Sequence, residues 1–183
     1  MIPSDHFVRF YNEVFKYLDE NNGLQEYYLE ISRHQEMHCY DCFMEKGLEG
    51  MEEYWGHIRV EENCIVSSYI EDGVRYSHME KCPSLSKVLD NDAGACEKYC
   101  LHCPGWVLPL MTKCGFYAIK YQRAMDVPEC FTACSEHREK IEKIRNEVVQ
   151  QGFRYIFTNL NESETVEKNR RYRLSLHHKE DEK

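Results

Sequence analysis

No run of apolar residues in this 183-residue chain approaches the ~18 needed to cross a bilayer. Positive charge is also in deficit. Lys and Arg number 23 against 32 Asp and Glu, for a net charge of -9. Phosphate contacts require a basic face, so nucleic acid is not an expected partner. The opening residues from Met1 to Asp5 and onward lack a basic stretch leading into an apolar one. The expectation is a cytoplasmic protein, neither secreted nor membrane-inserted. There is no G-x-S-x-G elbow, no glycine-rich phosphate loop and no dinucleotide fingerprint, so acyl-serine chemistry and nucleotide binding lose their usual signals. No internal repeat is present.

Cysteine, by contrast, is abundant, with ten residues. A chain of this length buries ~70% of its unfolded surface and needs no crosslinks to hold a core. Ten thiols without an export signal therefore point to metal binding or chemistry in a reducing compartment.

Apolar spacing predicts a first helix through Phe7, Tyr11, Val14 and Leu18, stopped by Asn21-Asn22-Gly23. A second runs from Leu24 to about Lys46 and ends at Gly47, its stripe passing from Tyr27 and Ile31 to His34, His38 and Cys42. After an amphipathic turn with Leu48, Met51 and Trp55, alternation predicts three antiparallel strands: around Ile58 and Val60, Val66 to Ile70, and Val74 to His78, with Asp72-Gly73 as a hairpin turn. Ser84 is a candidate N-cap for a short helix. A further helix from Ala95 would carry Cys96, Cys100 and Cys103 on one face and be broken near Pro104. Strands at 115–122 and 127–133, a helix at 135–151 and a last strand through Phe153, Tyr155 and Phe157 follow. Together these make a single domain at 1–160, with a helical N-terminal segment at 1–55. The stretch 161–183 is charged with almost no apolar side chains, and is expected to stay mobile. The fold class is α+β, an antiparallel sheet packed against helices with a helical N-terminal segment.

Two clusters could carry chemistry. Cys96, Cys100, His102 and Cys103 crowd into one short stretch, and sulfurs at C-x-x-C spacing can converge on one ion. The C-x-x-x-C-x-x-C spacing equals that of radical S-adenosylmethionine enzymes, but too little chain follows Cys103 to build their barrel. The second cluster, His34-Gln-Glu-Met-His38-Cys-Tyr-Asp-Cys42, places His at i and i+4. It is not the zincin H-E-x-x-H, and Tyr99 replaces the Pro that a zinc deaminase signature would need. His34, His38 and Cys42, continuing an inward stripe, are expected to meet Cys100 and Cys103 at one shared site. Cys64 and Cys114, isolated in apolar surroundings, read as core.

The order Glu80-Lys81-Cys82-Pro83, a helix, Cys100-x-x-Cys103, a strand, then Pro128-Glu129-Cys130-Phe131 resembles the L-2-amino-thiazoline-4-carboxylic acid hydrolase-like family across roughly residues 56 to 134. There an EC closing a strand, a C-x-x-D in the next helix and a CDF on a later strand recur. The resemblance implies Cys82, Cys100 and Cys130 as counterparts of the family cysteines. Cys103 stands where the family has Asp, an exchange of hard oxygen for soft sulfur that moves a shared site toward zinc or iron.

The resemblance implies a small-molecule hydrolase opening a C-N or C-S bond. Cys100 or Cys82 would be nucleophile or metal ligand, and His102 or His78 would move protons. The metal set would be drawn from His34, His38, Cys42, Cys96, Cys100, Cys103 and Cys130. The alternative is a non-enzymatic zinc or iron-sulfur protein for redox or metal sensing.

Overall fold

The computed structural model describes residues 5–34, 39–90 and 94–178. Seven α-helices and five strands follow one another there: α1 (Asp5–Glu20), α2 (Leu24–His34), α3 (Asp41–Glu61), β1 (Ile65–Glu71), β2 (Val74–Lys81), α4 (Pro83–Leu89), α5 (His102–Cys114), β3 (Tyr117–Gln122), β4 (Cys130–Ser135), α6 (Arg138–Gln150), β5 (Tyr155–Thr158) and α7 (Ser163–His178). The expected α+β class is what the structure shows. Among the described residues, no helix is long and apolar enough to cross a membrane.

The five strands form one antiparallel sheet in the order β1-β2-β4-β3-β5. Because side chains alternate across a strand, the register sorts them onto two faces. Val74, Tyr117, Ile119 and Ala133 contribute to a core completed by Ile141, Ile144 and Val148 of α6 and Val166 of α7. The other face lies under α3 and α5, where Phe43, Met51, Leu110, Met111 and Phe116 form a second core with Ala118 and Cys134. A third cluster joins α1, α2 and α4 through Val8, Phe15, Tyr28, Leu85 and Val88. Two helical layers thus enclose one sheet.

Several local expectations fail for identifiable reasons. Gly47 does interrupt the helix as expected, its φ of 60° and ψ of -132° being non-helical, but a second helical stretch of α3 follows directly and runs on to Glu61. The spacing of Met51, Trp55 and Ile58 is helical, and Val60 is an exposed residue on that helix, so no strand forms at 58–60. In this part of the chain the only strands are those of the β1–β2 hairpin, turning at Asp72-Gly73 as expected. The cap of α4 is Cys82, whose sulfur accepts the Leu85 N–H at 3.4 Å, and not Ser84. Ser84 Oγ instead bonds Tyr99 Oη at 2.6 Å. Pro104 breaks nothing, because it falls in the first turn of α5, where its missing N–H has no helical partner to lose.

The segment expected to be mobile is mostly α7, docked against the domain. Its few anchors are strong: Val166 is fully buried, and Arg173, 3% exposed, donates Nε to the Cys114 carbonyl at 3.1 Å while lying over the Phe116 ring. Asn169 Nδ2 adds a bond to the Thr112 carbonyl at 2.9 Å. A low apolar count is a poor guide here because polar groups do much of the docking.

Candidate active site

Between the sheet and helices α3 and α5 lies a cavity of about 210 Å³. Its roof is Trp55 and Ile58 of α3 with Cys103, Val107, Leu108 and Met111 of α5. Its floor is the inward face of the sheet, including Val66, Ser68, Arg75, Ser77, Met79, Lys120, Cys130 and Thr132. An engineered apolar cavity of ~150 Å³ holds benzene, so this one admits a molecule somewhat larger than a single ring.

The candidate reactive group is Cys103. A 3-10 turn at Tyr99–Leu101 runs directly into α5, which places Cys103 in the first helical turn, where backbone N–H groups lack helical partners. The His102 side chain folds back on its neighbour, Nε2 lying 3.2 Å from Cys103 Sγ. The other ring nitrogen is 2.5 Å from the Tyr99 carbonyl, an acceptor only, so Nδ1 carries a proton. Nε2 therefore either accepts the Cys103 S–H or, with both nitrogens protonated, faces a thiolate as an imidazolium.

Lys120 supplies the second positive charge. It rises from β3 into the cavity floor, 5% exposed, with Nζ 3.4 Å from the Cys100 carbonyl. Burial pushes the Cys103 thiol up, but the charges of His102 and Lys120 outweigh it and bring it down to about 6. The partners shift reciprocally. Burial draws His102 down and the Cys103 thiolate raises it further, for a net rise. Lys120 behaves in the same way: desolvation lowers it, the facing sulfurs led by Cys103 raise it, and the ammonium is kept.

The neighbouring cysteines differ sharply. Burial raises Cys100 to about 11 and Cys130 to about 12, and raises Cys82 as well. These stay protonated near neutral pH, which makes the expected Cys100 and Cys82 poorer nucleophile candidates than their neighbour Cys103. Cys103 is the thiol suited to that role. All ten cysteines are free thiols.

His78 is not at the site. It alternates with Ser77 and Met79 and therefore lies on the opposite face of the sheet, stacked on Phe131 at 4.2 Å and bonded to Glu129 at 2.8 Å. Cys96 precedes the helix expected to align it. Its backbone N–H donates to Asn12 Oδ1 at 2.8 Å, and its side chain is buried in the cluster of Val8, Phe15 and Tyr28. His34 is exposed at the end of α2. His38 lies outside the described residues. Cys42 donates its S–H to the Gly50 carbonyl at 3.5 Å and packs against the Phe43 cluster, whereas Cys100 belongs to the Phe15 cluster, so the shared site does not form through Cys42. Cys114 is core as expected, but Cys64 lines the cavity. Among the described residues, no three His, Cys, Asp or Glu side chains converge in a way that could hold a metal ion.

Lys120 is absent from the residues that spacing singles out. A Lys inside Tyr117-Ala-Ile-Lys-Tyr-Gln, a strand whose neighbours on both faces are buried, is an available signal: a charge there needs a partner. At the far end of the cavity, Arg75, 4% exposed, pairs with Glu52 through Nε at 2.9 Å beneath the Trp55 ring, and Ser68 bonds the same carboxylate. No protein-family model, no curated protein and no solved structure matches the chain.

Proposed function

We propose that the protein is a cytoplasmic thiol hydrolase that opens a C-N or C-S bond in a small molecule, with Cys103 as the nucleophile. The observation that carries this reading is the Cys103 sulfur, 3.2 Å from His102 Nε2, at a largely apolar cavity that the buried Lys120 also lines. A preformed thiolate needs no separate base to attack.

In the first half-reaction, Cys103 Sγ forms a bond to the electrophilic carbon while the C-N or C-S bond breaks. The proton on His102 Nε2 passes to the departing nitrogen or sulfur, leaving an acyl-enzyme and a neutral imidazole. Water then attacks the acyl carbon, His102 takes the proton, and Cys103 leaves as thiolate. Lys120 holds the negative charge on sulfur at the start and end of the cycle. The resemblance to the thiazoline-carboxylate hydrolases supports the reaction class, with the nucleophile moved from Cys100 or Cys82 to Cys103.

The metal-thiolate alternative draws on Cys82, Cys100, Cys103 and Cys130, the sulfurs whose charge Lys120 feels. An ammonium among them repels a cation, which leaves this reading with less support. Turnover of a panel of small amides, lactams and thiazolines tests the hydrolase: Cys103→Ser should abolish it and Cys100→Ser should not. Activity surviving in Cys103→Ser, or one tightly held zinc or iron per chain in purified protein, would sink the proposal.

A further inference from the structure

The register places four polar side chains in one line across the cavity floor. Ser68 is paired with Ser77, Ser77 with Thr132, and Thr132 with Lys120, one residue from each of four adjacent strands. The rows on either side are sulfur-bearing, apolar or already paired: Val66, Met79 and Cys130 on one, Arg75 with Glu52 and Cys134 on the other. The two ends of the polar line are occupied, Ser68 by Glu52 and Lys120 by the Cys100 carbonyl and the Cys103 charge. Its two middle members are not. Among the described residues, the Ser77 and Thr132 hydroxyls make no side-chain hydrogen bond, and both residues line the cavity.

Hydroxyls that face a cavity without a protein partner are free to meet the acceptors of a ligand. Facing residues on neighbouring strands have Cβ atoms ~5 Å apart. Two donors at that spacing suit two acceptors flanking a single ring position. Above them, Val107, Leu108 and Met111 offer an apolar wall. We propose that Ser77 and Thr132 are the specificity residues of the site, and that its substrate class is a six-membered cyclic imide or ureide. Its two carbonyl oxygens would accept from the two hydroxyls, and its ring would lie between the sheet and α5. Such a ring presents a C-N bond next to each carbonyl, in keeping with attack by Cys103. The inference rests on the cavity being where that attack takes place.

The test uses full-length Cys103→Ser protein, which binds without turning over, and three ligands of one shape: glutarimide with two carbonyls, δ-valerolactam with one, and cyclohexanone as a ketone lacking the amide. Calorimetric or NMR titration should give glutarimide an advantage of about fivefold or more over δ-valerolactam, the worth of one neutral hydrogen bond. Adding Thr132→Val, which keeps the shape, or Ser77→Ala should erase that advantage. Melting profiles like that of the parent show that the variants fold. Equal affinities in the parent, or an advantage that survives both substitutions, overturns the inference. Wild-type turnover separates this result from the hydrolase reading. Hydrolysis lost in Cys103→Ser with no imide preference defeats only the recognition line, and an imide preference with hydrolysis intact in Cys103→Ser defeats only the nucleophile.

Discussion

His102 and Cys103 are neighbours in the chain whose side chains nonetheless meet, Nε2 to Sγ at 3.2 Å. Consecutive residues on a helix normally diverge by ~100°. The contact exists because a 3-10 turn becomes α5 at His102 and the Tyr99 carbonyl pins the far side of the ring. The acidity of Cys103 is thus built at a helix junction and completed from the sheet by Lys120.

The first consequence is a pH profile. Cys103 should be alkylated by iodoacetamide with a midpoint near pH 6, where its thiol titrates. An ordinary cysteine has its midpoint near pH ~8.5. At pH 6.5 peptide mapping should find Cys103 modified and Cys100, Cys82 and Cys130 untouched. Uniform labelling of the four, or a Cys103 midpoint above pH 8, would show that the paired charges do not act as described.

Replacing Lys120 with Met removes one of those charges while keeping much of the side chain's length. The Cys103 midpoint should rise by about one pH unit or more, equivalent to ~1.4 kcal/mol of lost thiolate stabilisation. The same measurement on Lys120→Arg should leave the midpoint low. A profile unchanged in Lys120→Met would remove Lys120 from the site.

His78 serves as the opposite control, because it projects from the other face of the sheet and stacks on Phe131. His78→Ala should leave both the Cys103 profile and turnover within about twofold of wild type. A tenfold loss of either would mean that the two faces communicate.

Much of this arrangement is readable from the chain and some is not, for reasons of range. The Asp72-Gly73 hairpin announces itself because a two-residue turn is a local event. The crowd of cysteine and histidine at 96–103 contains His102 and the cavity-lining Cys103. Choosing Cys103 within it rests first on its neighbour His102, which is local, and then on Lys120, which lies on a later strand and is brought in by strand order, so no spacing rule near the cysteines encodes that second charge. For His78 the obstacle is parity: alternation puts it opposite Ser77, but only the position of α5 tells which of the two faces the cavity. In α3, Gly47 reads correctly as a break, but the second helical stretch that follows it at once, where alternation predicts a strand at 58–60, is decided by tertiary packing.

Crowding where α5 meets α7 makes Gly115 hard to replace. It closes α5 with φ 75°, and a Cβ there would run into the Arg170 backbone of α7. Gly115→Ala should therefore cost roughly 2 to 4 kcal/mol, combining backbone strain with overpacking. Chemical denaturation with an unchanged m-value reads this directly. A loss no larger than that of an ordinary surface substitution would mean that α7 does not sit against this turn.

Arg173 gives an independent check on the same helix. Its guanidinium is buried, 2.7 Å from Glu136, and bonded to the Cys114 carbonyl. Arg173→Met removes a buried guanidinium from its partly exposed partner Glu136 and from the Cys114 carbonyl, at a cost of about 3 kcal/mol. For a chain of this size the thermal midpoint should fall by roughly 6 to 12 °C. A midpoint indistinguishable from wild type would return the C-terminal segment to the status of an appendage.

The meeting of His102, Cys103 and Lys120 also gives the molecule an internal folding gauge. The three come from a helix junction and a central strand, so the low Cys103 titration exists only when α5 has docked on β3. An unfolded chain has ten cysteines of ordinary acidity, reacting slowly at pH 6.5 and indiscriminately. A pulse of thiol reagent during refolding would therefore count native molecules by labelling one cysteine, and unfolded ones by labelling many at higher pH. Maturation of the site could then be timed separately from collapse, with no foreign dye attached.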